Sequence, residues 1–65
     1  MRGTVTVFDE AAGLGEVTAD DGTVHPFHCI EIADGSRRIE VGAVVAFDVR
    51  PKLGRYEAVA IGAIR

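Results

Sequence analysis

A chain of 65 residues has room for a single domain, and a domain of that size buries only about 60% of its unfolded surface. Hydrophobic residues make up 48% of it, mostly Val, Ile and Ala with four aromatics and no Trp, which favours a closed β core over a helical bundle and argues against disorder. One cysteine excludes an internal disulfide, no apolar run approaches the roughly 20 residues of a membrane-spanning helix, and nothing reads as a signal peptide or lipidation motif, so a reducing, cytoplasmic setting with no membrane contact is expected.

The net charge of −3 is unevenly spread. Residues 1–34 hold one basic side chain against seven acidic ones, and residues 35–65 hold six basic against three acidic. Any anion-binding surface is therefore expected in the second half.

Gly3 to Phe8 alternates β-branched residues over a strand's length, with Val5 and Val7 expected on one side and Thr4 and Thr6 on the other. Asp9 to Gly13 reads as a loop, and a second strand runs from Leu14 to Ala19. Gly15 inside that strand has no side chain to pack; tight coiling of a small barrel is the expected reason, ahead of close approach by another group. Asp20-Asp21-Gly22-Thr23 signals a hairpin turn into a third strand, Val24 to Cys29, where Pro26 lacks a ladder donor and must lie at an edge, at a bulge or towards solvent.

Ile30 to Ala33 suits one short helical turn that drops Ile32 into the core. A long connection, 34–42, leads to a fourth strand at Val44–Val49, then a basic loop from Arg50 to Arg55, then a fifth strand at Tyr56–Ile64. Five strands with no edge to spare suggest closure into a barrel. The expected core is Val5, Val17, Phe27, Ile32, Val45, Phe47 and Ile61.

The order of these features resembles the cold-shock domain over nearly the whole chain. Thr6-Val7-Phe8-Asp9 stands where that family has K-W-F-N, and Ala12-Gly13-Leu14-Gly15-Glu16-Val17 is similar to its first binding motif, K-G-F-G-F-I. His25-Pro26-Phe27-His28-Cys29 resembles the second motif, V-F-V-H-F, and Glu40 to Phe47 resembles the approach to the fourth strand. The resemblance implies a five-stranded antiparallel OB-type barrel, an all-β fold, that binds single-stranded RNA or DNA by stacking bases on exposed aromatics over a positive groove. Of the residues that do this in the family, only Phe8 and His28 remain. Val7, Leu14, Glu16, Pro26 and Cys29 stand in place of aromatics, and Thr6 and Ala12 in place of lysines. A one-residue shift in the third strand would put Phe27, not His28, at the histidine position.

Two functional readings follow. One is single-stranded nucleic-acid binding of low affinity through an aromatic-poor face, using Phe8 and His28 together with Arg37, Arg38, Arg50, Lys52 and Arg55 as phosphate contacts and Tyr56 as one more stacking surface. The other is a barrel that has lost this activity and serves as a protein-interaction module or homodimer through an apolar patch at Val7, Leu14 and Pro26. His25, His28 and Cys29 raise the thought of zinc, but adjacent strand residues 28 and 29 face opposite ways, so no metal or cofactor is expected; Cys29 reads as a small core residue and the histidines as residues of the barrel rim. Two histidines and one serine offer no nucleophile and base pairing, and an enzyme is not expected.

Overall fold

The computed structural model describes residues 1–64. Five strands, β1 (Arg2–Asp9), β2 (Leu14–Ala19), β3 (Val24–His28), β4 (Val44–Lys52) and β5 (Arg55–Ala63), form one antiparallel sheet in the order β3-β2-β1-β4-β5. A 3₁₀ turn at Cys29–Glu31 follows β3, one residue earlier than the sequence suggests, and delivers Ile32 into the core.

The strand order makes β3 and β5 the edges. No ladder joins them, so closure is incomplete, contrary to expectation. The gap is narrowed by a parallel bridge between Ile32 and Ile61, by the Ala33 N–H donating to the Ile61 carbonyl at 2.7 Å, and by a side-chain pair between β3 and β5. The edge position also solves the problem of Pro26. The Cys29 N–H bonds the Gly13 carbonyl and the Ala19 N–H bonds the Thr23 carbonyl, which sets the ladder phase so that Phe27 and His25 exchange bonds with β2 while the nitrogen of Pro26 faces away from it.

All seven expected core residues are buried, joined by Ala19, Ala58 and Val59. Two bulges reset the alternation that a plain reading assumes. Between Val5 and Val7 the β1–β2 register slips, so Val5 is fully buried while Val7 turns outward at 48% exposure, not onto the same side. In β5, Ala60 adopts φ 52° opposite the Ala46/Asp48 step, and the extra residue puts Ala58 and Ile61, three apart, on the same buried face.

Two residues sit at a depth other than expected. His25 is buried, with its ring tilted against Phe47 at a centroid distance of 5.8 Å, and does not sit at the rim. Cys29 is only half-buried and packs at the edge of the core. The basic segment is no loop: β4 and β5 extend as a hairpin through Arg50, Pro51 and Lys52, turning at Leu53-Gly54.

Candidate nucleic-acid interface

Gly15 organises the face that the two motifs, 12–17 and 25–29, share. It lies between Phe8 on β1 and Phe27 on β3 in one cross-strand row. A Cβ placed on it would stand 2.5 Å from Cζ of Phe27 and 2.6 Å from the Val7 carbonyl oxygen. The glycine is therefore required by close approach of a ring and a backbone, and tight coiling is not the reason. With the row clear of side chains, Phe27 is buried beneath it and Phe8 stacks parallel to Phe27, ring centroids 6.0 Å apart and planes 4° apart. Phe8 is half-buried and packs against the core.

The outward residues of the same strands form two neighbouring rows, Val7-Glu16-Pro26 and Asp9-Leu14-His28. The register places His28, not Phe27, on the outer face. A shallow depression of about 370 Å³ runs over these rows, with Arg55 and Glu57 of β5 on its far side. Val7, Leu14 and Pro26 all line this depression, but Glu16 stands between Val7 and Pro26 and Asp9 lies beside Leu14, so the apolar residues are interleaved with acidic ones.

His28 is half exposed, and its Nδ1 lies 3.0 Å from Oε1 of Glu57, whose side chain is 9% exposed. Glu57 went unremarked in the sequence because nothing in an Arg-Tyr-Glu-Ala run separates a solvated strand carboxylate from a buried one.

The basic residues part company. Arg55 borders the depression, and Arg50 sits across the β4–β5 ladder from Glu57. Lys52 reaches Glu31 at 3.5 Å. Arg38 pairs with Glu10 at 3.0 Å beside a separate open cavity of about 830 Å³ between the 34–43 connection and the end of β5. Arg37 is exposed in that connection with φ 60°. Tyr56 is exposed opposite Pro51 and does not line the depression. Among the described residues no group of three His, Cys, Asp or Glu side chains is placed to hold a metal ion, and no helix is long and apolar enough to cross a membrane.

An antiparallel five-stranded sheet in this order, with a 3₁₀ turn after β3 and the motifs at 12–17 and 25–29 on neighbouring strands, defines a cold-shock-like domain of OB type. The chain is similar to the solved structure described as "drosophila Unr CSD456", with a TM-score of 0.80 and 28% identity; the match covers 98% of this chain and 26% of that one. No protein-family model matches the chain. Neither does any curated protein. The fold is thus the cold-shock-like one that the order of motifs implies.

Proposed function

We propose that this domain binds single-stranded RNA or DNA with low affinity, taking phosphates on Arg50 and Arg55 of the β4–β5 hairpin and a base against His28. The observation that carries this reading is the position of Arg55 on the border of the depression that holds His28. Arg50 and Arg55 make no ion pair with another described residue, which leaves both free to neutralise phosphate. Phe8 contributes chiefly by packing on Phe27, and the acidic rim of Asp9 and Glu16 opposes a polyanion. Both limit affinity.

The test is a fluorescence-polarisation titration of a labelled short single strand at two salt concentrations. Arg50→Ala and Arg55→Ala should each weaken binding and lower the salt slope by up to about 1, whereas Phe8→Ala should leave the slope unchanged. Absence of binding at low salt, where phosphate attraction is least screened, would overturn the proposal.

A second reading, a protein-interaction surface, is favoured by Val7 and Leu14, which remain 48% and 46% exposed in the depression that Pro26 also lines. For self-association, sedimentation velocity over a concentration series should show a dimer that Leu14→Asp abolishes; a monomer at all concentrations removes the homodimer.

A further inference from the structure

Glu57 is the buried carboxylate of the depression. Asp9 and Glu16, which also line it, are exposed, while the Glu57 side chain retains 9% exposure. An ionised carboxylate so placed is costly unless it is paired. Its partner is the His28 ring, contributed by the opposite edge strand, with which β5 shares no ladder. The contact therefore joins β3 to β5 across the open side of the sheet, at the border of the candidate interface.

The chemistry of the pair fixes the state of the ring. An ionised carboxylate only accepts hydrogen bonds, so the ring nitrogen 3.0 Å from it, Nδ1, carries the proton and donates it to Oε1. In the neutral ring Nε2 is then an unprotonated acceptor. It lies on the ring edge away from Glu57, and the contact this ring makes to Glu57 uses Nδ1 alone.

We propose that Glu57 is a positioning residue for ligand recognition: it holds His28 in the Nδ1–H tautomer and in one ring orientation, so that Nε2 accepts a hydrogen bond from a base N–H. Only the binding consequence rests on the nucleic-acid reading above; the tautomer is a property of the free protein. A neutral His28 held this way recognises a base edge and leaves phosphate to the arginines. The acceptor-rich surroundings of Asp9 and Glu16 favour the same class of ligand group, an N–H donor.

The experiment combines ¹⁵N-resolved NMR of the His28 ring, at a pH well above the ordinary histidine value of about 6.5, with titration of hexathymidylate, whose bases carry an N3–H donor. Wild type and Glu57→Gln, which keeps a carbonyl acceptor, should both show Nδ1 protonated and should bind alike. Glu57→Ala should move the proton to Nε2 and weaken binding roughly threefold to tenfold, the range of one hydrogen bond. On a His28→Phe background, Glu57→Gln and Glu57→Ala should bind alike. An Nε2-protonated ring in wild type overturns the proposal, as does an equal loss for Gln and Ala or a loss that persists with His28→Phe. If Glu57→Ala fails to fold by circular dichroism, the ring state in wild type and in Glu57→Gln still decides the tautomer. Failure of wild type to bind the strand would overturn the nucleic-acid reading and the recognition role together, with the tautomer still read in the free protein.

Discussion

Replacing Gly15 by Ala tests the packing on which the face depends. The new methyl carbon would stand 2.5 and 2.7 Å from Cζ and Cε1 of Phe27 and 2.6 Å from the Val7 carbonyl oxygen. The ring is 1% exposed and stacked on Phe8, so moving it disturbs a packed pair, and the carbonyl belongs to a strand backbone paired with β2 at Val7 and Phe8. Overpacking alone costs about 1–3 kcal/mol. If relief comes by expelling the Phe27 ring, about 1.5–3 kcal/mol of burial is lost in addition. The sum, about 2.5–6 kcal/mol, is comparable with the total stability of a domain this size, about 3–10 kcal/mol. Urea unfolding followed by far-ultraviolet circular dichroism should show Gly15→Ala largely unfolded without denaturant. A midpoint within about 0.3 M of wild type, at an ordinary urea slope of about 1 kcal/mol/M, would refute the close-approach argument and return Gly15 to a matter of backbone flexibility.

The bulge in β5 leaves Ala60 at φ 52°, a conformation that glycine adopts without penalty, so Ala60→Gly should raise stability by about 0.5–1 kcal/mol, read as a higher melting temperature; an unchanged or lower one counts against strain there. Phe47 is 3% exposed beneath His25, and Phe47→Ala should cost about 3–5 kcal/mol, enough that a fully folded variant by circular dichroism would contradict the packing described. The backbone N–H groups of Thr23 and Ser36, each 2.9 Å from a carboxylate oxygen, hold Asp21 and Asp34 below the ordinary Asp value of 3.8. Because these pKa values are depressed in the folded state, their stabilisation is present above the unfolded value and is lost as pH falls through the folded one. A ¹³C carboxyl titration should place both midpoints below 3.8, and a midpoint at or above it would show that the turns do not hold these carboxylates.

The strands and the core were legible along the chain because both depend on local rules. β-Branched residues at alternate positions demand a half-buried strand, Asp-Asp-Gly demands a turn, and a Pro in a strand demands an edge, a bulge or a solvent-facing nitrogen; each requirement is read from residues close in sequence. The depression at Val7, Leu14 and Pro26 could likewise be anticipated, since motif order put these three where a shared outer surface lies.

Bulges were not legible, because a bulge is decided by what the partner strand can accommodate. The repeat Thr-Val-Thr-Val looks the same whether or not a residue is extruded, yet the slip between Val5 and Val7 sends one valine into the core and the other into solvent. Extension of β4 through Pro51 was hidden for a related reason: a run of Arg, Pro, Lys and Gly reads as loop until β5 is found to pair with it.

By itself, the sequence determined an all-β domain, its seven central core residues and the motif pattern that sets its fold, all of which follow from hydrophobic periodicity and turn chemistry within a few residues. Tertiary structure alone decided which charges matter. It brought Glu57 and His28 together from strands 29 positions apart, turned Arg55 to the depression, and tied Arg38 and Lys52 to acidic partners elsewhere. Charge acts through space, so its effect is set by distance and burial, and neither is written in the spacing of residues along the chain.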